Sequence, residues 1–300
     1  MGMSWATLGR SRMYFWLLTA PAVLYIVVWR LAPALYTVWL SLTQYNIVYD
    51  ALPRWNHFEN FGRILRDGGL RGSLSLSVQF AVIATAAEVL IGLAVALFLD
   101  TDPPGRNLLL GIFLLPMIMA PVVVGTVWST LFDRTVGPIP YLFQVLRGPD
   151  IQWLATPATA MLALLLADAW EWAPLVALLL FAALQVLPRE QFEAARVDGA
   201  AGWQLFRRIT LPQIAGMIIV AAGLRVMDAF LELDKVFIMT GGGPGTSTQF
   251  ISMFVYKQAF QFYELGYASA VITVVLAALA LAYAMYLRGY GRALRPADSR

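Results

Sequence analysis

Charged side chains set inside long apolar runs are where this sequence could do chemistry. Glu88 lies in one such run, Asp168 and Glu171 in another, and Arg225, Asp228 and Glu232 in a third. A charge at bilayer depth is costly and faces either a partner or water. Spacings of three and four place Arg225, Asp228 and Glu232 on one face of a helix. From there Arg225 can pair with Asp228, or with Glu88 or Asp168 on another helix. Two roles fit these residues: the lining of a polar pathway that meets solute hydroxyls, or internal ion pairs holding a bundle or subunit interface together. Trp170 and Trp172 flank Glu171, with Pro174 just beyond. Aromatic faces beside carboxylates suit rings with apolar C–H faces and hydroxyl edges. An interfacial aromatic belt or plain packing is the other account, although Trp170 falls near the middle of its run and a belt would sit at an end.

Other chemistries lack material. There is no Cys, which excludes disulfides and thiolate metal sites, and His57 is the one histidine. His57 sits among Trp55, Asn56 and Phe58 and reads as a solvated or interfacial residue. No metal site is expected, and no nucleophile set for an intramembrane enzyme is present. A phosphate-binding loop needs Lys directly after Gly. The two lysines, Lys235 and Lys257, follow Asp234 and Tyr256. If ATP powers this protein, a separate subunit must bind it. The net charge of +3 is modest, and the basic residues mostly flank apolar runs, so nucleic acid is not an expected partner.

The elements that must position these residues are membrane helices. Hydrophobic residues make up 60% of the chain and charged residues 13%, with mean hydropathy +0.69. A soluble domain carries about 25% charged residues, because its surface must stay wettable. A span needs about 20 mainly apolar residues. Six segments qualify, roughly 14–40, 74–99, 108–132, 158–184, 213–239 and 267–287. They are too long and too uniformly apolar for barrel strands, and helices satisfy their own backbone groups in lipid. The expected fold is therefore all-α: a polytopic membrane protein of six transmembrane helices forming one domain over residues 1–300. Pro116 and Pro121 mark expected kinks in the third span.

With six spans, both termini lie on one side. If that side is the cytoplasm, the cytoplasmic segments hold Arg10, Arg12, Arg106, Arg189, Arg196, Arg207, Arg208, Arg288, Arg292, Arg295 and Arg300. The outside loops hold Arg54, Arg63, Arg66, Arg71, Arg134, Arg147, Lys235 and Lys257. Eleven against eight, on shorter cytoplasmic segments, favours this orientation. The basic start and following apolar run suit an uncleaved first span, since the run outlasts a signal peptide's core of about 7–15 residues.

The stretch from about 185 to 212 is too polar for lipid yet patterned like helix. Pro188 can start a helix, with Glu190 near its positive end. Asp198-Gly199 breaks the run, and a second short helix is expected through Trp203, Phe206 and Ile209, ended by Pro212. Such a helix–turn–helix can dock a partner, with Phe192, Trp203 and Phe206 as anchors, or can lie as an amphipathic linker at the headgroups. Farther on, Thr240-Gly241-Gly242-Gly243-Pro244 follows a helix and opens none, so it is no nucleotide fingerprint. It is either a flexible linker or a shaped turn.

Glu193-Ala194-Ala195, Asp198-Gly199-Ala200, Ile209 and Leu211-Pro212 resemble the signature loop of ABC-importer permeases, in the form found in sugar importers of the maltose and glycerol-phosphate type. The segment Phe237–Thr248, with its Thr-Gly-Gly-Gly-Pro core, is similar to the periplasmic turn of the first of the two permeases in those systems. The resemblance runs from Pro21 to about Arg288. It implies a type I ABC-importer permease fold in a bacterial or archaeal inner membrane. It implies that Glu193, Ala194, Ala195, Asp198 and Gly199 couple to a cytoplasmic ATPase. The implied partners are a second homologous permease, two ABC ATPase subunits that carry ATP and Mg, an extracellular or periplasmic solute-binding protein, and a sugar-like cargo. Cofactors on this chain itself are not implied. The best-known maltose permease has extra helices and a large inserted domain; this chain shows neither. An ion-coupled secondary transporter is the alternative, since Glu88, Asp168 and Asp228 could serve it, though no internal repeat is evident.

Overall fold

The computed structural model describes residues 5–293, with side chains described for 16–289. The helices are α1 (Trp5–Ile26), α2 (Ala32–Ser41), α3 (Glu59–Arg66), α4 (Gly68–Asp100), α5 (Arg106–Ile118), α6 (Pro121–Leu131) and α7 (Pro138–Val145). They continue with α8 (Pro157–Gln185), α9 (Arg189–Val197), α10 (Trp203–Leu205), α11 (Leu211–Phe230), α12 (Asp234–Met239), α13 (Ile251–Phe260) and α14 (Leu265–Ala293). Among the described residues the only named strands are β1 (Thr43–Gln44) and β2 (Arg54–Trp55), antiparallel with Thr43 opposite Trp55. Arg10, Arg12 and Arg292, counted for orientation, have no described side chains, and Arg295 and Arg300 lie outside the described residues.

Five helical stretches are long and apolar enough to cross a membrane: Trp16–Ser41, Gly68–Asp100, Pro157–Gln185, Trp203–Phe230 and Leu265–Gly289. A sixth is broken. The sequence reading expects a kinked span over 108–132, whereas α5 and α6 meet at 98°. Met119 and Ala120 are extended, and Pro121 opens α6 with no N–H to continue the ladder. The fifth span also differs, ending at Phe230 and not near 239. Glu232 explains the break: its Oε1 accepts the Lys235 N–H at 2.9 Å, satisfying a donor in the first turn of α12.

Pro212 does not end a helix. Trp203 to Phe230 is continuous through a π-helical segment, Phe206–Thr210, with Pro212 two residues beyond it. The first span repeats the device: a π segment at Val27–Leu31 precedes Pro33. A wider turn ahead of a proline accommodates its ring and its missing donor, so the helix continues.

The sequence reading treats 1–300 as one domain, but packing divides the chain into two compact units. One comprises the described residues of Met1–Asp67 with Val255–Ala278; the other comprises Gly68–Phe254 with the described part of Leu279–Arg300. The second unit is built on α4 against α8. Small residues let these backbones approach: a Cβ on Gly92 would meet Val176 Cγ1 at 2.8 Å and the Ala177 backbone nitrogen at 2.9 Å. Ala96, Val176, Leu180, Leu184, Ile214 and Ala221 form the core between α4, α8 and α11. Phe80 lies on Phe250 with ring centroids 4.6 Å apart, and the Ile251 N–H donates to Ser77 Oγ at 2.7 Å.

Candidate functional site

The segment after α8 forms a helical hairpin. α9 ends in a Schellman arrangement: the Gly199 N–H donates to Arg196 O at 3.0 Å and the Ala200 N–H to Ala195 O at 2.9 Å. Gly199 takes φ +85°, which other residues adopt only under strain. Glu193, Ala194, Asp198 and Gly199 are exposed and Ala195 is half-buried. Apolar groups also stand in the open, Val197 at 87% exposure and Trp203 at 67%. Trp203 is braced by Phe206, with ring centroids 5.3 Å apart. A groove of about 480 Å³ beside the hairpin is lined by Asp100, Gln185, Arg189, Phe192 and Glu193, among others.

At membrane depth the second unit holds a connected set of ion pairs. Arg225 on α11 binds Glu88 on α4 with both ends of its fork, Nε to Oε2 at 2.6 Å and Nη2 to Oε1 at 2.9 Å. Nη2 also reaches Asp168 Oδ2 on α8 at 3.1 Å, and Nη1 donates to Asp228 one turn along. The guanidinium lies over the Trp172 ring, 4.7 Å from its centroid. Lys235 on α12 completes the set. Its Nζ meets Glu171 Oε2 at 2.7 Å, Glu232 Oε2 at 2.8 Å and Asp168 Oδ1 at 3.0 Å. Asp168 therefore bridges the two cations. The pairing and the bidentate geometry are what make the buried carboxylates and two cations tolerable away from water.

Lys235 is thus not a residue of an outside loop, where the sequence reading puts it; its side chain is 1% exposed. The signal was available. Spans four and five hold more carboxylates than Arg225 can neutralise, and Glu232 precedes Lys235 by one helical turn. Of the eight residues expected at a pathway, Glu88, Asp168, Glu171 and Arg225 are buried in these pairs. Glu232 and Trp172 are half-buried, whereas Asp228 and Trp170 reach the surface. Trp170 stands edge-on to Trp128 at 5.9 Å between centroids.

The glycine turn is braced. Thr248 is fully buried, its Oγ1 donates to Gly243 O at 2.7 Å, and it lies 2.8 Å from Thr240 Oγ1. The Gly242 N–H donates to Thr240 Oγ1 at 3.2 Å. Gly241, Gly242 and Gly245 take positive φ, and the Gly243–Pro244 peptide is cis. Three left-handed residues in five explain the run of glycines better than a need for flexibility. His57 also has positive φ, with its ring edge-on to Trp55.

Residues 88–289, which contain the hairpin, both cations and the glycine turn, match the family of binding-protein-dependent transport system inner membrane components. The chain belongs to that family. It is a multi-pass inner-membrane permease. It is 32% identical over 251 residues to the trehalose/maltose transport system permease protein MalF of Thermococcus litoralis, covering 84% of this chain and 83% of that one. It is also 32% identical over 292 residues to the sulfoquinovosyl glycerol transport system permease protein SmoG of Agrobacterium fabrum, covering 95% of this chain and 92% of the other. In fold the permease is similar to a chain of a bacterial ABC transporter involved in the import of alginate, an acidic polysaccharide. There the TM-score is 0.83 at 17% identity, over 97% of this chain and 99% of that one. Membership in a binding-protein-dependent family sets aside the ion-coupled alternative, whose candidate acids Glu88, Asp168 and Asp228 are each paired with Arg225.

Proposed function

We propose that this permease forms half of the translocation path of an ATP-driven importer that receives a sugar or sugar-like solute from a soluble binding protein. The uncovered hairpin carries this reading. A capped, rigid turn that exposes Val197 and Trp203 is built to be covered by another protein. Glu193, Ala194, Ala195, Asp198 and Gly199 would dock into a cytoplasmic ATPase subunit, where ATP and Mg would bind. That places the termini and the hairpin on the cytoplasmic side, and the glycine turn, Thr240 to Pro244, on the side that meets the binding protein. A second, homologous permease would supply the other half of the path. The sugar class rests on relatives named for trehalose, maltose and sulfoquinovosyl glycerol transport. Asp228, Trp170 and Trp172 are the residues we assign to the path. Asp228 pairs with Arg225 yet keeps 59% of its side chain exposed, which leaves carboxylate surface for water or solute to meet.

The continuous helix from Trp203 to Phe230 joins the hairpin to Arg225 in one element. Movement imposed at the hairpin would reach the charged set directly. Reconstitution with the second permease, the ATPase and the binding protein tests this. Gly199→Val forces a β-branched residue into left-handed geometry, with no neighbour within 4 Å to clash, so the strain is confined to the turn. The expected result is an inserted, assembled protein that hydrolyses ATP without uptake, with Gly199→Asn recovering part of the transport. Full uptake by Gly199→Val would refute the docking assignment.

A further inference from the structure

The first unit contains a cavity of about 570 Å³ that shares no residue with the hairpin, the charged set or the glycine turn. This volume lies in the range of about 300–1,000 Å³ of small-molecule sites. It is bounded by the segment after α2, the start of α3, and the residues that lead into α14.

The cavity is preformed. The Ile47 N–H donates to Tyr263 O at 3.1 Å, the Gly266 N–H to Tyr45 O at 3.2 Å, and Asn46 Nδ2 to Phe262 O at 3.1 Å. Gly266 is required here, since a Cβ would lie 2.2 Å from Thr43 O. Asn60 Nδ2 donates to both Ser41 O and Thr43 O, at 3.0 and 2.8 Å. Arg63 is held between Glu264, at 2.6 Å, and the Tyr267 ring, 3.9 Å from its centroid. Tyr267 O–H in turn donates to Asp67 at 2.6 Å. Backbone and side-chain bonds thus fix the walls before any ligand arrives.

The lining chemistry is specific. Asp50, Glu59 and Glu264 supply carboxylate oxygens, with lone pairs beyond those used by the Asn46 N–H and Arg63. Asn56, 5% exposed, keeps its Oδ1 in the wall with no partner. Tyr45 and Tyr49 add aromatic side chains. Acceptors beside aromatic faces suit a ligand with many O–H donors and apolar C–H faces. Three carboxylates against one guanidinium oppose an anion. Among the described residues no three acidic or histidine side chains converge to hold a metal ion.

We propose that this cavity is a binding subsite for an uncharged polyhydroxyl solute. The proposal rests on the sugar-importer reading in one respect: counting six spans from a cytoplasmic hairpin assigns residues 42–67 to the outer side, where cargo arrives. The test is saturation-transfer NMR on the full-length permease in nanodiscs, with trehalose, maltose and glycerol as probes and glucuronate as the anionic control. Saturation is expected for at least one neutral probe and not for glucuronate. Tyr49→Ala combined with Glu59→Ala, both exposed positions, should weaken that signal about tenfold, near 1.4 kcal/mol. Val136→Ser, an exposed position outside the cavity and outside the path, should leave it unchanged. Four results would overturn the subsite: no transfer to any neutral probe, stronger transfer to glucuronate, an unchanged signal in the double variant, or a double variant that loses only the ATPase response to the binding protein. Uptake by the assembled importer, measured in parallel, separates the two readings. Uptake without NMR signal removes the subsite alone, whereas absent uptake with signal removes the importer reading.

Discussion

The hairpin around Gly199 and the ion set around Arg225 are both rich in charge, yet they are finished in opposite ways. At the hairpin, Glu193, Asp198, Val197 and Trp203 are exposed. At the ion set, Arg225, Lys235, Glu88, Asp168 and Glu171 are almost wholly covered and satisfy one another. The first surface is left open by the chain, as the proposed docking requires; the second, Asp228 apart, is closed within the chain. The difference separates what holds this permease together from what, on the proposed reading, it offers to partners.

The comparison breaks most violently at Arg225. Arg225→Leu leaves Glu88 and Asp168 buried without their guanidinium, and breaking a buried pair from one side costs about 3–5 kcal/mol. We expect loss of folded protein from the membrane, read by detergent-extracted yield and melting temperature. Lys235→Met should do nearly as much, because Asp168, Glu171 and Glu232 all lose a cation. Normal yield for both variants would mean that the set is not what binds α4, α8, α11 and α12 together.

Much of this was legible in the sequence, and the misses have physical causes. Hydropathy alone locates the apolar runs, and the spacing of Arg225, Asp228 and Glu232 announces a charged helical face. The partners of Arg225 were nameable because few intramembrane charges exist to choose from. Lys235 was missed because it stands near the end of an apolar run, where Lys usually snorkels to water. The break at residues 231–233 sets α12 apart from α11, and the ammonium meets Glu171 instead. The 98° bend was underestimated because a proline in sequence signals a kink without its size. Pro212 misled for the converse reason, since the π segment that absorbs it leaves no compositional mark. The cavity in the first unit draws on Gln44 to Arg63 and on Glu264 to Tyr267, and neither stretch predicts the other.

A middle-sized effect is expected at the glycine turn, which tests whether a surface offered to a partner can also be internally finished. Thr248→Val keeps the shape and removes the hydroxyl that Gly243 O and Thr240 Oγ1 use. An unpartnered buried acceptor costs about 1–3 kcal/mol. The melting temperature should fall by a few degrees, far less than for Arg225→Leu. Stimulation of ATPase by the binding protein should fall with it if the turn is that protein's contact. An unchanged melting temperature would make the turn a tether and not a shaped element.

The smallest effect on the fold belongs to the hairpin, and that smallness is the point. Val197→Ser and Trp203→Ser remove apolar side chains that the chain itself leaves exposed, so little burial is lost in the free permease. Exposed substitutions away from special features typically stay within about 0.5 kcal/mol. Melting of the isolated permease should therefore hardly change. The same side chains, once covered by an ATPase, would be core contacts of an interface, where removing a Trp commonly costs about 2 kcal/mol or more. Co-purification of the ATPase should fall by at least an order of magnitude for Trp203→Ser and less for Val197→Ser. A double variant that melts normally and still retains its ATPase would show that these residues face lipid headgroups, as an amphipathic linker would. A double variant that destabilises the isolated permease would show that the hairpin is completed within the chain, and the contrast with Arg225 would disappear.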